Sequence, residues 1–187
     1  KTTVARLIAR LTDPTFGSVK VGGVDLVKVA NSDLRSRLIV VPQEPFLFAE
    51  TILYNLQFVD PTADEHAMLE AFSQLGLLDW IQSLPDGLNT HVGQRGASLS
   101  AGERQLVSLV RAFLVKPDVL VLDEATSSVD SLTEIRISRA LDRLASGRTT
   151  ISIAHRLSTA ARAERVIMLV GGRIVEDGSH TQLMNAG

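Results

Sequence analysis

Three short strand-like segments, separated by helical patterns, restrict this sequence to few folds. Leu38–Val41 and Val119–Leu122 are continuous apolar runs, and Thr149–Ile153 is rich in β-branched residues. Continuous apolar runs of this length are typical of parallel strands that are covered on both faces. Because helical patterns lie between the segments, the sequence predicts an α/β fold with a mostly parallel sheet.

The stretch between the first two strand-like segments has a helical pattern and no strand signal. From Thr51 to about Leu84, and again from Ala101 to Leu114, apolar residues recur at helical spacing. We therefore expect a helical subdomain at residues 46–115, inserted into an α/β core made of residues 1–45 and 116–187. This division leaves no long structureless loop.

Composition excludes several classes of protein. The 187 residues include 19 basic and 21 acidic side chains, so the formal net charge is −2 and gives no reason to expect nucleic-acid binding. The absence of cysteine excludes disulfides, a thiol nucleophile and cysteine-ligated metal sites. No apolar run reaches the roughly 18 residues that a membrane span requires. The sequence begins at Lys1 rather than at Met, and we expect it to be part of a longer chain.

Polar residues stand at the carboxyl end of each predicted strand, where parallel sheets place their ligands. Asp123 could hold Mg²⁺, and Glu124 could orient or deprotonate an attacking water. Gln43 and His155 follow the first and third strands in the same way. Taken alone, the acidic pair is equally well explained as an acidic turn, and ordinary loop or core roles explain Gln43 and His155 better.

Two predicted helix N-termini could bind an anion. The segment Lys1-Thr2-Thr3 could place an ammonium group over phosphates and a hydroxyl on Mg²⁺, although an ordinary basic chain end explains it better when it is taken alone. Ser100 can cap the helix that begins at Ala101. The small residues Ala101 and Gly102 would leave backbone N–H groups open to an anion, and an ordinary helix cap is the alternative.

Taken together and in this order, the segments resemble the motifs of ABC transporter nucleotide-binding domains. Lys1-Thr2-Thr3 resembles the end of the Walker A loop, so we expect the glycines of that loop to precede Lys1. The residues around Gln43 resemble the Q-loop. Leu99–Gln105 resembles the LSGGQ signature, with Ala101 and Glu103 departing at its third and fifth positions.

The second half of the chain carries the remaining motifs of this family. Leu122–Asp130 resembles the Walker B strand running into the D-loop, and His155 matches the switch histidine. The resemblance implies a P-loop NTPase (RecA-like) fold that binds and hydrolyses ATP with Mg²⁺. It implies catalytic roles for Glu124, His155 and Gln43, and metal-ligating roles for Thr2, Gln43 and Asp123. It implies nucleotide-binding roles for Lys1, Thr2, Thr3, Ser100, Ala101, Gly102 and Asp130.

The resemblance also indicates a subclass. Thr90–Gly96 resembles the TEVGERG loop of exporters, with Gln94 in place of the usual Glu, and Gly178-Ser179-His180 is exporter-like too. An exporter of the multidrug or lipid type is therefore implied, in which ATP drives two nucleotide-binding domains together. In such a dimer Ser100 and Gly102 act on the partner's ATP, and Asp130 lies at the interface.

The implied partners are a second nucleotide-binding domain, identical or different, and a transmembrane domain, at the cytoplasmic face of the cell membrane. Phe46–Phe48 is an apolar cluster that could receive a helix of the transmembrane domain, and a buried hinge is the alternative. Two other functions remain open at this point. They are a soluble ABC ATPase that is not coupled to transport and a nucleotide-binding regulatory module.

Overall fold

The computed structural model of the protein describes residues 1–123, 129–154 and 157–186. None of the helices in these ranges is long and apolar enough to cross a membrane. The strands are β1 (Lys20–Val21), β2 (Val24–Asp25), β3 (Leu38–Val41), β4 (Val119–Asp123), β5 (Thr149–Ile153), β6 (Val166–Val170) and β7 (Arg173–Gly178). The helices are α1 (Thr2–Ile8), α2 (Asn31–Arg37), α3 (Ile52–Gln57), α4 (Glu65–Leu75), α5 (Leu78–Ser83), α6 (Ala101–Val115), α7 (Ser131–Ala145), α8 (Leu157–Arg162) and α9 (His180–Ala186).

The three predicted strands form one parallel sheet in the order β3-β4-β5. Val41 pairs with Leu122, and Leu122 pairs with Ser152, so the strands end at nearly the same level. The central strand β4 is covered on both faces, since Leu120 and Val121 are fully buried. This register brings the carboxyl ends of three strands side by side, as the sequence predicts.

The helical segment between β3 and β4 packs around one hydrophobic cluster. Phe72 of α4 and Leu106 of α6 are fully buried in it, and the same cluster includes Leu120 of β4 and Ile137 of α7. Helix α4 has an N-terminal cap from Asp64, and it ends at Gly76, whose φ is 73°. The helices therefore pack continuously with one face of the sheet and with α7, and the bounds 46–115 stay a prediction.

A smaller cluster covers the other face of the sheet. It joins Ala5 and Ala9 from the first helical segment to Leu38 of β3 and Val121 of β4. The sequence pattern predicts a helix to about Leu11 with Val4, Leu7, Ile8 and Leu11 on its apolar face. Ile8 packs against the cluster, whereas the predicted end of the helix and the burial of Val4 and Leu11 are wrong. Helix α1 ends at Ile8, Arg10 has a φ of 49°, and Val4 and Leu11 are 41% and 57% exposed. Ala5 and Ala9 are the residues that pack against the sheet instead, because their small side chains let the helical segment lie close to it.

The chain ends in an antiparallel hairpin followed by α9. Strands β6 and β7 pair from Val166 opposite Gly178 to Val170 opposite Arg173. Gly171 and Gly172 form the turn with φ values of 56° and 77°. Two consecutive positive φ angles suit the type of two-residue turn that matches strand twist, and glycine adopts both without steric cost.

Candidate functional site

One group of predicted site residues lies at the carboxyl edge of the parallel sheet. Asp123 is the last residue of β4, and Gln43 lies two residues beyond the end of β3. Lys1 reaches the same edge, because its Nζ donates a hydrogen bond of 3.4 Å to the carbonyl oxygen of Ala154, directly after β5. Thr2 opens α1 beside Lys1, so α1 presents its N-terminus to this edge.

Two of the predicted catalytic residues, Glu124 and His155, lie outside the described residues. Each directly follows a residue of the sheet edge: Glu124 follows Asp123, and His155 follows Ala154. Their catalytic roles stay predictions.

The donor set at the sheet edge fits Mg²⁺ in the presence of phosphate. Thr2, Gln43 and Asp123 offer a hydroxyl, an amide oxygen and a carboxylate, which are the oxygen ligands that this cation prefers. Within the described ranges, no cluster of three His, Cys, Asp or Glu side chains could hold a metal. Mg²⁺ commonly binds one or two carboxylates together with substrate phosphates, and a single carboxylate suits that mode.

A second group of predicted residues lies at the N-terminus of α6. The backbone N–H of Glu103 donates to Ser100 Oγ at 3.2 Å, and Glu103 Oε2 accepts from the backbone N–H of Ser100 at 2.8 Å. This reciprocal pair is a capping box. The N–H groups of Ala101 and Gly102, in the first turn, have no partner within the helix. Anion binding by these groups stays a prediction.

Gly102 has a structural role that its sequence position does not reveal. It is buried, and a Cβ added to it would lie 2.7 Å from Val129 Cγ1 and still closer to Thr133 Cγ2. The N-terminus of α6 therefore packs against the N-terminus of α7 at a distance that only glycine permits. Ala101, by contrast, is exposed.

Asp130 caps α7 beside this contact. Its carboxylate accepts a hydrogen bond of 3.0 Å from the backbone N–H of Thr133. Hydrogen bonds from Thr133 lower the pKa of Asp130 below its usual value. The side chain is exposed, so it can also meet a second molecule, as a residue of a dimer interface would.

The lowered pKa of Asp130 predicts a pH-dependent contribution to stability. That contribution is complete above the unfolded-state pKa of about 3.9, and it is lost as the pH falls through the lower folded-state pKa. We expect Asp130→Ala to shift the midpoint of chemical unfolding most near neutral pH, and the shift to shrink in acid. Asp86→Ala is the control, because Asp86 makes no capping hydrogen bond. A shift of equal size at all pH values would contradict this explanation.

Two further residues of this region are Glu103, to which the sequence motif assigns no role, and Trp80, which lies outside the motif. Trp80, on α5, donates a hydrogen bond of 3.3 Å from Nε1 to Glu103 Oε1. The spacing Ser100-x-x-Glu103 is itself a sequence signature of a capping box, so Glu103 could have been found. No sequence signal points to Trp80, which lies 23 residues earlier.

Electrostatic effects of opposite sign act on the carboxyl group of Glu103. Burial raises its pKa, and hydrogen bonds from Ser100 and Trp80 lower it by more, so that the net pKa lies below its usual value. The nearby Asp130 carboxylate makes a smaller, opposing contribution. Glu103 is therefore a carboxylate at neutral pH, and it can accept both of its hydrogen bonds.

An apolar groove lies beyond Gln43, between the end of β3 and α6. Phe46 and Phe58 are 57% and 60% exposed, and the ring of Phe48 lies 5.3 and 4.6 Å from theirs. Arg111 supports the rings: it donates to the carbonyl oxygen of Phe46 at 2.7 Å and lies over the Phe48 ring. Leu47 is fully buried, so the predicted cluster consists of a buried Leu47, a half-buried Phe48 and an exposed Phe46.

Known proteins resemble the whole chain. Residues 1–127 match the family described as ABC transporter. The ABC transporter aclQ of Aspergillus oryzae is 48% identical over 186 residues, which cover 100% of this chain and 23% of that protein. An ATP-dependent lipid A-core flippase of Bordetella avium is 43% identical over 188 residues, which cover 100% and 32%. A solved bacterial Atm1-family ABC exporter with ATP bound matches with a TM-score of 0.90 at 41% identity, covering 100% of this chain and 32% of that one.

These similarities confirm the predicted fold class, a P-loop NTPase with a parallel sheet and an inserted helical subdomain. The chain spans between about a quarter and a third of the length of these relatives. The roles of single residues in binding and catalysis stay predictions.

Proposed function

We propose that this chain, which belongs to the ABC transporter family, is the ATP-binding and ATP-hydrolysing part of an exporter. One observation carries the proposal. The carboxyl ends of β3, β4 and β5 lie side by side and Lys1 reaches Ala154 at this edge, while the capped N-terminus of α6 belongs to a different element. The relatives are named as an ABC transporter, a flippase and an exporter, which favours export over a soluble ATPase or a regulatory module.

In this proposal the sheet edge holds ATP for hydrolysis. The Lys1 ammonium binds phosphate oxygens, and Thr2, Gln43 and Asp123 are the side chains that would hold Mg²⁺. When bound, Mg²⁺ neutralises charge on the phosphates. Glu124 orients or deprotonates the attacking water, and His155 contacts the γ-phosphate.

The N-terminus of α6 acts on the ATP of a second nucleotide-binding domain. Ser100 and Ala101 are exposed, and the inner side of Gly102 is occupied by Val129 and Thr133. The open side of this helix turn can therefore face a second molecule. ATP would then be enclosed between the sheet edge of one domain and the signature helix of the other, and Thr3 and Asp130 would complete the two surfaces.

The apolar groove is the surface that we assign to the transmembrane domain, at the cytoplasmic face of the membrane. It lies directly after Gln43 in sequence, so a helix docked on it would be linked to the sheet edge by a few residues. Phe46 and Phe58 supply exposed aromatic area, a common anchor in protein interfaces.

We expect Phe46→Ser to lower substrate export by the full-length protein. The side chain is largely exposed, so the midpoint of thermal unfolding should change little, while the docked helix would lose an aromatic contact. Phe16→Ser is the matched control, because Phe16 is 91% exposed on a loop far along the chain from the groove. Equal export by both variants would contradict the assignment of this surface.

The proposed function is tested by ATP turnover of the full-length protein in lipid vesicles. We expect phosphate release that requires Mg²⁺ and that is lost in Lys1→Ala. An ATP-independent activity, or turnover unchanged in Lys1→Ala, would contradict the proposal.

A further inference from the structure

The peptide group that joins Leu99 to Ser100 is held at both of its polar ends. Its carbonyl oxygen, on Leu99, accepts a hydrogen bond of 2.6 Å from Arg104 Nη1. Its N–H, on Ser100, donates to Glu103 Oε2 at 2.8 Å. Two neighbouring side chains of opposite charge on α6 therefore fix the orientation of one peptide plane.

We propose that Glu103 and Arg104 are positioning residues that set the orientation of Ser100 toward the nucleotide of the paired domain. The proposal rests on the proposed function, in which Ser100 contacts that nucleotide. A peptide plane held at both ends fixes the backbone from which the Ser100 side chain projects, with φ at −62° and ψ at 165°. Ser100 then faces the nucleotide of the paired domain in a preset orientation, so less ordering is needed in the transition state of hydrolysis.

We call the two side chains that hold this peptide plane, Glu103 and Arg104, the clamp. Each of them contacts a different part of the helical segment. Glu103 Oε1 accepts from Trp80, whose indole is buried against the ring of Phe72 on α4. On the other side, the stem of Arg104 lies over Gly96, where an added Cβ would be 2.6 Å from Arg104 Cδ. A movement of either part would therefore be transmitted to the peptide plane before Ser100.

The chemistry of Glu103 is matched to its two partners. Its two carboxylate oxygens accept from two N–H donors, one on Ser100 and one on Trp80. A glutamine has one oxygen acceptor and one NH₂ donor. If its oxygen kept Ser100, its NH₂ would face the indole N–H of Trp80, and two donors would oppose each other. The indole N–H of Trp80 therefore favours glutamate over glutamine at position 103.

The test is a double-substitution cycle in the full-length protein. We expect Glu103→Gln to lower kcat/KM for ATP about tenfold, in line with the loss of a hydrogen bond to a charged group, while the binding of a non-hydrolysable ATP analogue is unchanged. In the Trp80→Phe background, where the opposing donor is gone, the same change should cost less than about twofold. A merely structural role would lower analogue binding and kcat together, and Trp80→Phe would not relieve it.

Two further variants keep the test decisive. Arg104→Met removes the other end of the clamp and should lower kcat/KM to a similar extent even if Trp80→Phe folds poorly. Glu65→Gln removes an exposed carboxylate from the first turn of α4 and should leave kcat/KM at the wild-type value. If Glu103→Gln and Arg104→Met both match wild type, the clamp is overturned and the proposed function stands.

Hydrogen exchange separates this inference from the proposed function. The Ser100 amide should exchange slowly in the wild type and faster in Glu103→Gln, whether or not the protein hydrolyses ATP. A wild-type protein without ATP turnover but with this protection would contradict the proposed function alone. Fast exchange of the amide in both proteins would overturn the clamp.

Discussion

Replacing Glu124 by Gln should lower ATP turnover by the full-length protein about 10²- to 10⁴-fold, the usual contribution of a positioned general base. Asp123 ends β4 at the sheet edge that Lys1 also reaches, and Glu124 is the next residue of the chain. Glutamine keeps the size of the side chain and removes the base. ATP binding should therefore persist while hydrolysis is lost, as expected for a group that acts mainly in the transition state.

Phosphate release and binding of labelled ATP, measured side by side, test this expectation. Glu176→Gln is the control, because Glu176 is an exposed carboxylate on β7, outside the site. If turnover barely changes in Glu124→Gln, the water is activated by another group and the catalytic assignment is wrong. Loss of ATP binding together with turnover would instead place Glu124 among the binding residues.

The second large effect concerns Gly102. A Cβ at this position would overlap Val129 and Thr133, so Gly102→Ala should destabilise the fold by about 1–3 kcal/mol, as overpacking of a tight contact does. We expect the contact to relax in part by separation of α6 and α7 at their N-termini. Such a shift would displace Ser100 and Asp130, and a misplacement of about 1 Å can cost about a hundredfold in rate. We expect both losses in this single variant.

The variant Ala101→Val separates the loss of stability from the loss of ATP turnover. Ala101 is exposed on the same helix turn, so its side chain can grow without entering the contact with α7, and stability should change by less than about 1 kcal/mol. Its branched side chain would nevertheless stand where an anion approaches the N–H groups, and turnover should fall. Thermal unfolding and ATP turnover of both variants measure this. If Gly102→Ala unfolds at the wild-type temperature, the contact between Gly102, Val129 and Thr133 is not tight enough to exclude a methyl group.

Much of the sheet edge could be predicted from the sequence, because the end of each strand can be recognised from the residues of that strand alone. Each strand is a short run whose end is visible, and parallel strands bring such ends to one edge. Asp123 and Gln43 were placed correctly for this reason. The apolar face of α1 is predicted only in part: Ile8 packs against the cluster, but helical spacing alone cannot show that Ala5 and Ala9 make the close contact while Val4 and Leu11 are exposed.

The contacts around α6 lie beyond what motif spacing can give. The sequence motif includes Gly102 and implies a role for this glycine in anion binding. Its burial against Val129 depends on how α6 and α7 pack, which the motif does not show. Trp80 meets Glu103 only because α5 packs beside α6, and no periodicity encodes that pairing. Glu103 itself carried a local signal, the capping-box spacing from Ser100.

The central claim is that the sheet edge and the N-terminus of α6 serve two different ATP molecules. The most direct test compares labelled-ATP binding to this chain and total ATP turnover in Lys1→Ala and Ser100→Arg. We predict that Lys1→Ala loses both, and that Ser100→Arg keeps ATP bound to its own sheet edge and loses turnover. If Ser100→Arg loses ATP binding as completely as Lys1→Ala, both groups act on one ATP within one chain, and the claim is contradicted.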